Sequence, residues 1–272
     1  GVTSHTFEPI PSMAKLMAQA DLIIINGLFL EEPTLAMAES NKKVEAVILS
    51  LGDQTVTPDE WQFDFTFPES AGRPNPHLWP DPNLGLRYAE LVHDRLIAMD
   101  PDNAMYYADN LGRFRDRVTR MDQAIRTAVA TIPESNRKLL TYHDSWAYFA
   151  KQYGMEVIGA IQPSNFSQPS VREVATLIDQ VKELGLPVVF GSQVFSSDVL
   201  EAIASEANAQ FIDDLADDDL PGKPGDPEHS YLGLMQKNLE AMIPALGGDA
   251  SVLAGLDIEN VFDGASGAVY PQ

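Results

Sequence analysis

Histidine is scarce in this chain, five in 272 residues, and three of the five stand where a side chain can be aimed. His5 lies in SHTFEPIPS, a turn leading into a helix. His77 lies in NPHLWPDP, where Pro76, Pro80 and Pro82 stiffen the backbone around it, and His143 directly follows the apolar run KLLTY. Asp213 comes directly after another such run, AQFI. Three imidazoles and one carboxylate make a complete tetrahedral set for Zn²⁺ and are acceptable to Mn²⁺ or Fe²⁺. Taken singly, each histidine is also the kind of residue that caps a helix or sits on a surface, and no HExxH or CxxC spacing singles them out. Asp144 and Asp81 stand next to two of the sites, as carboxylates able to orient an imidazole or to cap the following helix. His93 falls off the apolar stripe of its helix and reads as solvated. His229, in a Pro- and Asp-rich loop, reads as a surface residue or a helix start.

Positioning such a set requires rigid elements, and the pattern supplies them as alternating helices and strands. The first half reads as a helix from Ser12 to Ala20, a strand Leu22 to Ile25, a helix Leu30 to Ser40 and a strand Val44 to Leu49, with short apolar strands of the kind buried in parallel sheets. A loop from Gly52 to Pro76 carries Trp61, Phe63, Phe65 and Phe67 at alternating positions, which suits either an edge hairpin or an aromatic lid. A helix follows from Asn83 to Met99. From Asp100 to Pro133 the apolar residues Tyr107, Leu111, Phe114, Val118, Met121, Ile125, Ala128 and Ile132 recur at steps of four and three, the stripe of one long helix. Asp100–Pro101 starts it, Pro133 stops it, and roughly 30 residues at about 1.5 Å each give about 45 Å, enough to touch two lobes.

Beyond it the alternation resumes: strand Lys138 to Tyr142, helix Ser145 to Tyr153, strand Glu156 to Ala160, then a helix opened by the capping box Ser170/Glu173 and closed by Gly185. Strand Pro187 to Phe190, helix Ser197 to Ala207, strand Gln210 to Ile212 and a last helix from Ser230 to Leu246 complete it. The expected fold is therefore α/β, two Rossmann-like lobes with parallel sheets: residues 1–99, then the bridging helix 100–133, then 134–246, with 247–272 a small acidic tail of no assigned role. In open parallel sheets a ligand crevice lies beyond the carboxyl ends of the strands, so His143 and Asp213 fall on one rim of the second lobe, with His5 and His77 coming from the first.

Charge narrows the partners. Eighteen basic against forty acidic residues leave a net charge of −22, which repels phosphate backbones and anionic membrane surfaces, so nucleic acid is excluded as a partner. Cysteine is absent, excluding disulfides and thiolate metal sites. No apolar run approaches a membrane span. The opening residues read as the inside of a loop, so an export signal is expected upstream of them.

The run HTFEPIPS, the turn NPHLWPDP, the segment YHDSWAYFAKQYGM, then FIDDL and SYLGLMQKN, in that order, resemble the zinc- and manganese-binding solute receptors of ABC transporters. The spacings of 72 (5 to 77), 66 (77 to 143) and 70 (143 to 213) residues suit that family, and the likeness covers about Gly1 to Leu246. It implies a non-enzymatic receptor, periplasmic or anchored at the cell surface and monomeric. Such a receptor holds Zn²⁺, or alternatively Mn²⁺, between two lobes through His5, His77, His143 and Asp213, and delivers the ion to a membrane permease. A surface adhesin with a structural metal and a metallohydrolase are the competing readings; the hydrolase needs an open coordination position that four protein ligands would close. The sequence departs from the family pattern at Pro80, where leucine is usual, in lacking the strand and helix that normally precede the first histidine, in its longer tail, and in carrying an acidic aromatic loop where zinc receptors often have a histidine-rich one.

Overall fold

The computed structural model describes residues 7–160, 170–192, 198–216 and 219–260. Nine α-helices and six strands are found among them. The first lobe is built from α1 (Pro11–Met17), β1 (Leu22–Ile25), α2 (Glu32–Asn41), β2 (Val47–Ser50), the short α3 (Leu51–Thr55) and α4 (Pro82–Met99). The second holds β3 (Lys138–Thr141), α6 (Ala147–Tyr153), β4 (Glu156–Ala160), α7 (Val171–Leu184), β5 (Val188–Ser192), α8 (Asp198–Ala207), β6 (Gln210–Leu215) and α9 (Tyr231–Ala245). Between them runs α5 (Ala104–Ala130).

Both sheets are parallel, β1 beside β2, and β4-β3-β5-β6 in the second lobe. The strands of the second sheet are covered on both faces: Leu139, Val188 and Phe190 pack towards α5, α6 and α9, and Leu140 and Val189 towards α7 and α8. This two-sided burial explains why these strands read as unbroken apolar runs. The expected stripe of α5 is the seam of the larger core, with Val118, Met121, Ile125, Ala128 and Ile132 all at or near zero exposure.

Four expectations are corrected. The long helix is not α-helical from Asp100: Pro101–Asn103 form a 3₁₀ turn and the α-helix starts at Ala104, a tighter first turn of the kind common at helix starts. The loop after β2 begins with the helix α3 and continues through 3₁₀ turns at Pro58–Glu60 and Glu69–Ala71, with no hairpin, so its alternating aromatics are not a strand face. The last strand runs on to Leu215 rather than ending at Ile212. His93 is not solvated: its side chain is 17% exposed and Nε2 is buried without a hydrogen-bond partner.

The chain beyond α9 has a packing role as far as it is described. Leu253 is fully buried, and Arg117 of α5 pairs with Asp257 at 2.7 Å and donates to the Glu259 carbonyl. Ser230 Oγ donates to the Ile258 carbonyl, so this segment straps α5 to the start of α9.

Candidate metal centre

His143 sits just past the carboxyl end of β3. Tyr142 N–H donates to the Phe190 carbonyl at 2.9 Å, and Thr141 Oγ1 donates to the His143 carbonyl at 2.7 Å, so the residue leaves the sheet in a fixed direction. His77 comes from the proline-framed turn before α4. Asp81 caps that helix, accepting from Asn83 N–H at 2.9 Å, which settles its role in favour of capping.

The two rings meet. Their Nε2 atoms are 2.9 Å apart, with ring centroids at 4.6 Å and planes at 89°, and the residues are 0% and 1% exposed. Phe67 and Trp79 stand edge-on to His77 at 5.8 and 5.0 Å, so apolar rings wall the pair from two directions.

What orients His77 is Asn75, a residue that the sequence reading passed over, and not a carboxylate. Its Oδ1 accepts from the His77 backbone N–H at 2.9 Å and from Nδ1 at 2.6 Å. Placing the proton on Nδ1 leaves Nε2 bare, the form a metal needs. An asparagine bonding the backbone two residues on is an Asx turn, and N-P-H is a sequence that invites one. The Asn75 amide in turn donates to Asp64 Oδ2 at 2.6 Å and to the Asp144 carbonyl at 2.7 Å.

Asp144 has a different task from the expected orientation of an imidazole. Its Oδ2 accepts from Thr66 N–H at 2.8 Å, pinning the aromatic loop, and its carboxylate faces that of Asp64. Burial first, and then the nearby Asp144 charge, push the Asp64 carboxyl up to about 9. At neutral pH Asp64 therefore keeps its proton and donates it to Asp144, whose Oδ1 otherwise has no partner.

The first lobe supports the same turn from below. Gly27, Leu28 and Phe29 all have positive φ, at 81°, 50° and 66°, a strained run for two non-glycine residues. The Glu31 carboxylate receives Asn26 N–H and Gly27 N–H, and Asp53 receives Leu28 N–H, which holds the strain. A Cβ on Gly27 would lie 2.0 Å from Ser50 Oγ, so only glycine fits there. The turn drives Leu28 into a cluster with Leu78, the neighbour of His77, while Asn26 Nδ2 donates to the Pro76 carbonyl at 3.0 Å.

The other two candidates are placed differently. His5 lies outside the described residues. Asp213 is exposed and sits inside β6, where Phe190 pairs with Ile212 but Ser192 pairs with Leu215. That slip puts one extra residue into β6 across Asp213 and Asp214, a bulge of the kind that re-aims side chains beside functional sites. Among the described residues no set of three or more His, Asp or Glu groups could hold an ion, so the structure brings together His77 and His143 and not a complete shell.

His229 stands immediately before α9, its Nδ1 3.0 Å from the Pro221 carbonyl, in keeping with a helix-start residue. Among the described residues no helix is long and apolar enough to cross a membrane.

Comparison with known proteins agrees with this architecture. The manganese-binding lipoprotein MntA of Halalkalibacterium halodurans is 26% identical over 246 residues, covering 90% of this chain and 78% of the relative. The iron-binding protein YfeA of Yersinia pestis is 28% identical over 248 residues, covering 91% and 77%. The solved periplasmic zinc-binding protein TroA of Treponema pallidum superposes with a TM-score of 0.79 over 90% of this chain and 88% of its own, at 22% identity, a likeness of fold. With a family model described as zinc-uptake complex component A, periplasmic (ZnuA), matching residues 1–245, the chain belongs to that family, the metal-binding substrate-binding proteins of ABC transporters.

Proposed function

We propose that this protein captures a divalent transition metal outside the cytoplasmic membrane, Zn²⁺ in preference to Mn²⁺, and passes it to the permease of an ABC transporter, acting as a receptor without catalysis. The ligands of the proposal are His5, His77, His143 and Asp213. Relatives named for manganese, iron and zinc leave the ion open, so the choice rests on chemistry.

The observation that carries the reading is the buried edge-to-edge contact of two imidazoles, His77 Nε2 and His143 Nε2 at 2.9 Å, in which one nitrogen carries the hydrogen and the other accepts it. Two Zn–N bonds of about 2.05 Å at a tetrahedral angle need about 3.3–3.4 Å between the nitrogens. A spread of a few tenths of an ångström therefore admits the ion in place of the proton the pair now shares, and loading should release protons. Three imidazoles and one carboxylate favour zinc by ligand type, and manganese stands lowest in the divalent affinity order.

Competition calorimetry on the full chain at pH 7 tests this. Zn²⁺ should bind one ion per chain and should not be displaced by an equal concentration of Mn²⁺. Displacement by Mn²⁺ would overturn the ligand set, and absence of binding by either ion would overturn the function.

A further inference from the structure

His77 precedes the bridging helix in the chain, which assigns it by sequence to the first lobe. Its attachments run the other way. Gln62 N–H donates to the Tyr148 hydroxyl at 3.3 Å and Thr66 N–H to Asp144 at 2.8 Å, both partners lying beyond α5. Asn75 Nδ2 reaches the Asp144 carbonyl at 2.7 Å, and the Tyr231 hydroxyl of α9 donates to the Trp79 carbonyl at 2.7 Å. Asn83 Nδ2 donates to Asp122 of α5 at 2.8 Å, and the same Asp122 oxygen accepts from the Tyr153 hydroxyl at 2.9 Å. Gly85 leaves the room for this: a Cβ there would stand 2.2 Å from the Tyr231 hydroxyl.

Among the described residues the ties back to the first lobe are fewer. Asn26 Nδ2 holds the Pro76 carbonyl, Leu28 packs on Leu78, and Arg73 pairs with Glu32 at 2.7 Å with both side chains about half exposed, a pair of little strength. Most of the links to the second half end on buried or half-buried groups, where a lost hydrogen bond strands a polar atom away from water.

We infer that residues 61–83 belong mechanically to the second half of the molecule, so that His77 and His143 form one preassembled two-imidazole half-site. The sheet β1–β2 can then shift relative to the rest without drawing the two rings apart. Ion release becomes a matter of exchanging ligands at an intact pair rather than of parting the lobes. This inference rests on the metal-receptor reading for its meaning, but not for its test.

The test is amide hydrogen exchange read by mass spectrometry on the full chain, without metal and with Zn²⁺. Peptides spanning residues 75–85 should already be as protected in the metal-free protein as those spanning 138–150, and Zn²⁺ should change them little. Tyr231→Phe, which keeps the ring and removes the hydroxyl, should speed exchange in 75–85 by about tenfold or more, while Asn26→Ala leaves it within about threefold. Tyr231→Phe should also weaken Zn²⁺ binding, with residues 22–55 undisturbed. Protection of 75–85 that appears only with Zn²⁺ overturns the inference. So does release by Asn26→Ala rather than Tyr231→Phe, or by both or neither. Failure of the wild-type chain to bind Zn²⁺ or Mn²⁺ would sink the receptor reading and leave the exchange result to stand or fall alone.

Discussion

Asn75 serves both the amide and the Nδ1 of His77 from one oxygen while its NH₂ spans Asp64 and Asp144, so one buried side chain fixes ring, backbone and loop together. Removing an outer partner of a metal ligand, the role proposed for His77, costs about 10–100-fold in metal affinity, and Asn75→Ala should fall in that range by calorimetry. Asn75→Asp, which keeps an acceptor for Nδ1, should recover part of the loss. Asp64 gives a pH prediction of definite sign. Its carboxyl is raised from 3.8 to about 9, so between those values the folded state holds a proton that the unfolded chain has lost. Stability from this group is complete below about 3.8 and drains away as pH rises towards 9. Melting temperatures measured from pH 5 to 9 should decline less steeply in Asp64→Asn, an isostere of the protonated acid that can still donate to Asp144. An unchanged slope would contradict the shared proton. Within the bulge of β6, Asp213→Ala should lower Zn²⁺ affinity sharply and Asp214→Ala only slightly; the reverse ranking would move the carboxylate ligand by one residue.

The bridging helix was legible because its stripe is long: a period of 3.6 held for eight contacts is hard to mistake. Its start was misread because Asp-Pro signals a helix opening without saying whether the first turn is α or 3₁₀, a difference set by packing of the turn. Energetically the helix divides into a buried C-terminal part and an exposed start. Ile125→Ala, at 0% exposure, should lower stability by about 2–4 kcal/mol, whereas Met105→Ala, at 88% exposure, should change it by less than about 0.5 kcal/mol. Chemical denaturation of both variants would show whether α5 is the seam of the core. Residues 52–76 were opaque for the opposite reason. Alternating aromatics satisfy the strand template, but here they serve separate contacts, Trp61 with Phe63 and Phe67 with His77, which no local period encodes.

For the whole molecule, a helix of 27 residues crosses from one lobe to the other, and its second half is locked into the main core. Such a strut permits rocking rather than a wide hinge. Small-angle scattering with and without Zn²⁺ should therefore give radii of gyration within about 0.5 Å of each other, since closure of the hinge kind would exceed that. Because both ε nitrogens must be bare to ligate, Zn²⁺ affinity should fall in acid, with protons released on loading at neutral pH. Calorimetry in buffers of different ionisation enthalpy would count those protons, and a count of zero there would argue against imidazole ligation.

Local chemistry was written in the sequence: strands that read as apolar runs because both faces are covered, caps at Ser170 and Gly185, a proline-framed His77, and a His143 at a strand end. Each depends on interactions within a few residues, or on a burial pattern that any parallel sheet imposes. Tertiary structure alone decided what required distant groups to converge. It brought His77 to His143 across 66 residues of chain, turned Asn75 and not Asp144 towards the imidazole, buried Asp64 against a second carboxylate, and tied the turn of His77 to α9 through Tyr231. Those outcomes hang on which buried polar atoms find partners, and no periodicity records that, because the partners lie far away in the chain and are chosen by the packing that surrounds them.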